Sequence, residues 1–430
     1  MRALRLLSLL VAGALVLAPP GVGSTPKAAS APRVGSLAEL GGQLQQVDRL
    51  LAAWQLTPAR ALVERLMHEH PDLPAVWWAA AWVKFHQGEH RSARQLADRA
   101  AAALGPALGA DPRLGLIRAM DGISAEFVRQ VSSDGGVVVQ HAPGVDEVVV
   151  PDIEDTVRRT LEVVGRDLGH RVDHPVVVQL LPDRESLAAA TGLSVEEIKT
   201  SGTIAVCKYN RLMVISPRAT LKGFGYLDTA SHELIHLIIS QKTFNRTPIW
   251  IHESLAKYEE SRWRSDEPDY HPGLHPLRAT RLKRAITENR LVSFEQMHPS
   301  MALLPSAEAA ELAFSEVYTV TEFLLSLKGY PGLRDLLAGL AEGRGDFQVI
   351  RKVYGLQRKA FVAAWTRFMR ARSGVELQGD LEALTLRKEA PKGSGAERSL
   401  SAMRRVDLRD QFHLGQLLRA RGRVRAPVVE

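Results

Sequence analysis

The chain has 430 residues, which is too long for one ordinary domain and suits two or three. Its apolar fraction of 45% and charged fraction of 24% are typical of a globular protein and exclude global disorder. The net charge of +7 is mild, and the chain has neither a zinc-finger spacing nor a Gly-rich phosphate loop, so no nucleic-acid partner is expected.

Residues 1–24 are predicted to be a signal peptide. Arg2 and Arg5 form a short basic start, residues 6–18 are almost entirely apolar, and small residues suited to cleavage follow. The apolar run is shorter than the about 20 residues that cross a bilayer, so a cleaved signal is favoured over an uncleaved anchor and no stable membrane span is expected. We therefore expect an exported protein, either periplasmic or secreted.

A helical region is predicted over residues 37–108, after a flexible leader rich in Pro, Ala and Ser over residues 25–36. Trp78 and Trp82 belong to its helical apolar pattern, and residues 93–101 resemble the second helix of a tetratricopeptide repeat, which pairs two helices in about 34 residues. Such repeats imply a surface for a protein partner. The alternative is a helical bundle that shields the next domain.

Residues 109–373 are predicted to form one α+β domain. Asn210 and Arg211 are expected at the turn of a hairpin, and helices are expected over residues 153–168, over 186–199 and through most of 228–372. Because the strands come first and the helices later, an α+β domain is favoured over a wound parallel sheet. The predicted strands are residues 137–140, 175–181, 203–207 and 212–215.

The last part of the chain is predicted to be a polar linker over residues 374–405, followed by residues 406–430 as the start of a C-terminal tetratricopeptide-like helix pair. The arginines near the end are interpreted as a solvated helix face rather than a docking patch. The single cysteine, Cys207, excludes an internal disulfide, so a hydrophobic core must hold the fold. We expect Cys207 to be buried in that core.

The residues with the clearest chemistry are His232, Glu233 and His236, which form a His-Glu-x-x-His motif in an apolar helix. Residues four apart lie on one side of a helix, so both imidazoles can reach the same zinc ion. Glu233 can then take a proton from a zinc-bound water. The alternative is a pair of core histidines that are hydrogen-bonded to backbone or carboxylate groups.

A third ligand is expected downstream, because catalytic zinc uses three protein ligands and keeps one position for water. The helix predicted after Pro248 contains small residues, Ser254 and Ala256, which let it pack closely. Spacing alone leaves four candidates open: His252, Glu253, Glu259 and Glu260.

The pattern His-Glu-x-x-His followed by Pro-x-Trp-x-x-Glu-small-x-Ala resembles the gluzincin-type, peptidase-MA-like zinc metallopeptidases, which often carry tetratricopeptide repeats. The resemblance covers about residues 135–372. It implies a zincin-like fold in which a strand edge beside the zinc helix holds the peptide extended. It also implies that Zn²⁺ is held by His232, His236 and Glu253, with Glu233 as general base.

The chain departs from this family in two places. The small residue after Glu253 is Ser254 where the family has Gly, and the family's Tyr-x-x-Ser appears here from Phe314 to Val317, so that a hydroxyl is lost at each end. Tyr318 is retained, and we predict it as a catalytic residue that stabilises the oxyanion, with a mobile histidine as the other candidate.

Three acidic or imidazole side chains near the motif have less specific predictions. Asp228 lies one turn before His232 and is expected to cap the helix or, alternatively, to orient that imidazole. His271 and His275 fall in a loop rich in Pro and Gly, and we interpret them as exposed rather than as a second metal site.

The sequence therefore predicts an exported zinc-dependent peptidase that hydrolyses peptide bonds of a peptide or protein substrate. The alternative is a non-catalytic scaffold of the tetratricopeptide type with a relic zinc site. Phe314 and Val317 favour the scaffold. The intact Glu233 favours the enzyme, since a purely structural zinc site does not need a general base.

Overall fold

A computed structural model of the protein describes residues 34–220, 223–267, 270–298, 300–301 and 304–371. The predicted signal peptide, most of the predicted leader, the linker over 374–405 and the helical piece over 406–430 lie outside the described residues. Within the described ranges, no helix combines the length and apolarity that crossing a membrane requires.

The N-terminal region is rich in helices, as its apolar periodicity predicts. Pro74 occupies the first turn of the third helix, where a missing N–H costs nothing, and Gly105 follows the last residue of the fourth. Successive helices pack against one another. The helices are α1 (Val34–Ala52), α2 (Leu56–Glu69), α3 (Pro74–His86), α4 (His90–Leu104), α5 (Pro106–Gly109) and α6 (Pro112–Ile123).

A five-stranded mixed sheet follows, with the spatial order β1-β2-β3-β5-β4. The three central strands run parallel, whereas β1 pairs with β2 and β4 pairs with β5 in antiparallel fashion. Strand β4 therefore forms one edge of the sheet. The strands are β1 (Val128–Val131), β2 (Val137–His141), β3 (Val176–Leu181), β4 (Ala205–Lys208) and β5 (Arg211–Ile215).

Helices cover both faces of this sheet. In β5, Leu212 and Val214 point into one hydrophobic core, while Met213 and Ile215 point into the other, because successive side chains of a strand face opposite ways. The first core contains the two helices that carry the His-Glu-x-x-His motif and Glu253, and the second contains residues of α1–α6. The N-terminal helices thus share a core with the sheet.

The remaining helices follow the strands in the chain or connect them. The thirteenth helix bends at Gly329, whose φ of 57° is not helical, two residues before Pro331. The helices are α7 (Val150–Leu168), α8 (Arg184–Thr191), α9 (Val195–Ser201), α10 (Tyr226–Thr243), α11 (Ile249–Glu259), α12 (Pro276–Thr287), α13 (Ala307–Ala341), α14 (Asp346–Tyr354) and α15 (Arg358–Ala371). Three short 3₁₀ turns are Val145–Val149, Pro217–Ala219 and Arg262–Arg264.

The structure differs from the predicted elements in detail. The hairpin turn consists of Tyr209 and Asn210, both with positive φ, whereas Arg211 is already the first residue of β5. The helix predicted over 186–199 is two helices, because Gly192 ends the first in a left-handed conformation. Strand β1, a short edge strand, was not predicted, and α1 begins inside the stretch predicted as leader.

We predict that Gly339→Ala destabilises the protein by about 1–3 kcal/mol through overpacking. A Cβ at this buried position of α13 would lie 2.5 Å and 2.9 Å from the two γ carbons of Val349, which cannot rotate away freely. Gly115→Ala on the exposed face of α6 is the control. Its Cβ meets nothing within 4 Å, so we expect a gain of up to about 1 kcal/mol from helix propensity. Chemical unfolding of both variants measures the difference, and equal midpoints would contradict the packing of α13 on α14.

Candidate metal centre

Two neighbouring helices of the first core carry the predicted ligands. Helix α10 is buried around most of its circumference and ends at Thr243, and its C-cap, Phe244, adopts a left-handed conformation with φ of 54°. The chain then turns, and Pro248 forms the N-cap of α11. Ser254 fixes α11 against α13, because its hydroxyl donates to the backbone carbonyl of Val317 at 2.7 Å and lies 2.6 Å from the Thr321 hydroxyl. The small residue after Glu253 therefore has a packing role.

The structure brings His232, His236 and Glu253 together. The Nε2 atoms of the two histidines lie 3.2 Å apart, and the Glu253 Oε2 atom lies 3.4 Å from the Nε2 of His232 and 3.6 Å from that of His236. All three side chains are largely buried. Within the described part of the chain, this is the one group of three or more His, Cys, Asp or Glu residues whose ligand atoms converge.

The spacing of these three atoms fits a tetrahedral metal ion. Zinc bonds of about 2.0–2.1 Å at tetrahedral angles separate neighbouring ligand atoms by about 3.3 Å. The observed separations of 3.2, 3.4 and 3.6 Å bracket that value. In addition, Glu253 Oε2 is buried without a hydrogen-bond partner among the described residues, which a bound cation would resolve. Two imidazoles and one carboxylate form a donor set that suits zinc.

The Nδ1 atom of each ligand histidine, which faces away from the other two ligands, also has a polar neighbour. Glu260 Oε2 lies 3.1 Å from His232 Nδ1, and Lys257 in turn pairs with Glu260. His252 Nδ1 lies 3.1 Å from His236 Nδ1. A proton on the Nδ1 of each ligand histidine leaves its Nε2 lone pair directed at the metal position, as neighbours of zinc histidines commonly arrange.

These contacts settle the positions of the other candidates for third ligand. His252 and Glu260 touch the backs of the imidazoles rather than the ligand atoms. Glu259 is fully buried elsewhere and accepts a hydrogen bond of 2.9 Å from the Tyr330 hydroxyl. Burial raises the pKa of Glu259 to about 8. Of the four acidic or imidazole candidates on α11 and just after it, only Glu253 faces both ligand histidines.

Asp228 has neither of its two predicted roles, which were to cap α10 or to orient His232. The cap of α10 is Gly225, with no side-chain cap. The Asp228 carboxylate instead accepts hydrogen bonds from Trp263 Nε1 at 3.1 Å and from two nitrogens of Arg264 at 2.9 Å. The carboxylate beside His232 is therefore that of Glu260, which sequence reasoning considered only as a ligand.

The charges of the site reinforce one another. Burial by itself lowers the pKa of His232, but Glu253 and Glu260 raise it to about 10. Burial raises the pKa of Glu253, yet His236 and His232 hold it well below its usual range. Burial lowers the pKa of His252 to about 3, so this imidazole is neutral and can accept the proton of His236 Nδ1. Glu253 is thus ionised and ready to bind a cation.

Glu233 lies beside the ligands and the edge of the sheet. Its carboxylate is almost completely buried, and burial raises its pKa, while the two ligand histidines and the backbone N–H of Cys207 lower it. A base with a raised pKa is suited to proton transfer near neutral pH. Cys207 belongs to the edge strand β4 and is half-buried rather than fully buried, and burial raises the pKa of its thiol well above the usual value.

Tyr318 is the remaining predicted site residue. It is a buried residue of α13, and its ring lies 5.1 Å from that of Tyr258 on α11. Tyr258 follows Glu253 by five positions, which turns it about 140° away from that ligand around the helix axis. The catalytic role of Tyr318 stays a prediction.

The two loop histidines do not join in a metal cluster within the described residues. His271 packs its ring 3.9 Å from that of Tyr258, and its Nε2 lies 3.4 Å from the Tyr330 hydroxyl. His275 is exposed. His271 therefore belongs to a contact with two tyrosines, Tyr258 and Tyr330.

One family model matches the part of the chain that contains this site. The family model of the Peptidase MA superfamily matches residues 156–371, which is half of the chain and includes both α10 and α11. The chain belongs to the Peptidase MA superfamily, which supports a peptidase. No curated protein matches the chain.

We predict that Glu260→Ala weakens zinc binding about 10- to 100-fold, because His232 loses the carboxylate that fixes its ring and tautomer. Glu260→Gln, which can still accept the Nδ1 proton, should lose less. Competition with a chromophoric chelator measures the affinity. Glu342→Ala, at an exposed carboxylate after α13, is the control and should bind zinc as the wild type does. An unchanged affinity for Glu260→Ala would contradict the role assigned to Glu260.

Proposed function

We propose that the protein is a zinc-dependent peptidase in which His232, His236 and Glu253 hold the metal and Glu233 is the general base. The observation that carries this proposal is the triangle of ligand atoms, whose edges match tetrahedral zinc coordination, with a buried carboxylate beside it. Membership of the Peptidase MA superfamily supports peptide bonds as the substrate.

Zinc, when bound, supplies a Lewis acid that polarises the scissile carbonyl and makes water more acidic. The residues of the chain perform the proton transfers. Glu233 takes a proton from the attacking water and returns it to the leaving amine. Glu260 and His252 keep the ligand imidazoles oriented throughout, and burial excludes competing solvent from the charged groups.

The edge strand β4 supports a peptide substrate. In the β4–β5 hairpin, Ile204 and Ile215 form a hydrogen-bonded pair, so alternation directs the backbone N–H and C=O of Ala205 away from β5. An extended peptide can add to such an edge. The signal peptide predicted over residues 1–24 supports export to the periplasm or the outside as part of the proposal, and the tetratricopeptide resemblance supports a protein partner.

The alternative function is a scaffold with a relic zinc site. The loss of two hydroxyls, at Phe314 and Val317, favours it. The burial of Glu233 next to the ligands favours the enzyme, because an acidic residue that binds no metal has no role in a structural site.

The test combines metal analysis with peptide cleavage. We expect about one zinc per chain in the wild type. Glu253→Ala should lose the metal, because two imidazoles alone hold zinc weakly. Glu233→Gln should retain the metal and lose at least about 100-fold in kcat, because the general base is gone. The substrate is a peptide library with cleavage followed by mass spectrometry.

The outcomes separate the two functions. Zinc with cleavage that depends on Glu233 supports the peptidase. Zinc in the wild type without cleavage of any peptide supports the scaffold. A wild-type protein that binds no zinc would overturn both readings of the site.

A further inference from the structure

The turn between α3 and α4 makes buried polar contacts with side chains of the sheet. We call this cluster the polar joint and define it as Phe85, His86, Gly88 and His90 with their partners on the strands. The Gln140 side chain on β2 donates to the Gly88 carbonyl at 3.0 Å. The Gln179 side chain on β3 lies 2.6 Å from both Gln140 Oε1 and His90 Nε2. Strands from the middle of the sheet therefore reach the same helical turn.

The β4–β5 hairpin makes the strongest attachment to this joint. Asn210 Nδ2 lies 2.9 Å from His86 Nδ1, and Arg211 donates through Nη1 to the Phe85 carbonyl at the C-terminal end of α3. The guanidinium also lies 4.2 Å from the centre of the Phe85 ring. A cation at a helix C-terminus is favoured by the helix dipole, and an aromatic face adds to the attraction.

Arg211 is costly in this position. Its side chain is completely buried, and its Nε and Nη2 atoms have no hydrogen-bond partner within the described part of the chain. A buried charge with incomplete pairing opposes stability, and an apolar residue of similar size would often be more stable. Stability alone therefore does not explain why an arginine occupies this buried position. A requirement to hold the hairpin in a fixed position does explain it.

The β4–β5 hairpin connects Arg211 to the candidate metal centre. Arg211 is the first residue of β5 and is paired with Lys208, the last residue of β4, across a turn of two residues. Cys207, which precedes Lys208 in β4, lies beside Glu233, because its backbone N–H is among the groups that lower the pKa of that carboxyl. Strand β4 also packs directly against α10, which carries Glu233. The β4–β5 hairpin thus links the C-terminal end of α3 to Glu233.

We propose that Arg211 is a positioning residue, which clamps the β4–β5 hairpin to the C-terminal end of α3 and thereby holds the Cys207 N–H against Glu233. The N-terminal helices then act on the metal centre through the hairpin. This inference rests on the proposed function for its effect on catalysis, since it assigns Glu233 as general base.

The test uses Arg211→Met in the full chain, with Gln179→Leu as matched control. Both changes remove a buried polar group from the same joint, but only Arg211 lies on the hairpin. We expect Arg211→Met to bind zinc as the wild type does and to lose about tenfold or more in kcat with KM changed less than about threefold. Gln179→Leu should keep kcat within about threefold. Arg211→Lys, which keeps the charge and one donor, should recover part of the loss and replaces Arg211→Met if that variant does not fold.

A second measurement does not depend on activity. Amide hydrogen exchange at Cys207 should be slow in the wild type and at least about tenfold faster in Arg211→Met and in Glu233→Ala, but unchanged in Gln179→Leu. Unchanged exchange in Arg211→Met, or equal loss of kcat in Arg211→Met and Gln179→Leu, would overturn the positioning role. A wild type that cleaves no peptide but shows the expected exchange pattern would refute the proposed function and leave the clamp in place.

Discussion

Three buried ligand atoms, two imidazole nitrogens and one carboxylate oxygen, lie within 3.6 Å of one another between α10 and α11. Such a cluster is unfavourable unless a positive charge, a proton or a metal ion, lies among its members. The surrounding structure holds the cluster together: Ser254 fixes α11 on α13, and the apolar sides of α10 fill the first core. The spacing of the ligand atoms is thus a product of helix packing.

Charged and polar residues surround the two histidines and contact their Nδ1 atoms. His232 is backed by Glu260, which is paired with Lys257, and His236 is backed by His252. Each neighbour can hold a proton on the far nitrogen, so that both near nitrogens would present lone pairs to one bound cation. This arrangement distinguishes the site from a pair of core histidines, which would direct their nitrogens at separate backbone or carboxylate partners.

The N-terminal helices are integrated with the sheet. They fill the second core together with Met213 and Ile215, and the α3–α4 turn binds side chains from three strands. A sheet that carries apolar residues on both faces needs a helical layer on each. The helices of the candidate metal site, α10 and α11, pack on one face, and the N-terminal helices cover the other.

The sequence by itself determined what depends on local spacing: the helices of the N-terminal region, four of the five strands, and the pairing of His232 with His236 one helical turn apart. Glu253 followed from resemblance to a family, since spacing left four candidates. The tertiary structure decided the rest. Glu260 rather than Asp228 lies behind His232, because the packing of α11 on α10, and not chain distance, brings a carboxylate to that nitrogen. The same holds for Arg211, whose burial depends on a helix 126 residues earlier in the chain. The periodicity of the sequence predicts which face of a helix or strand is buried. Which side chains contact one another on that face depends on how the helices pack on the sheet.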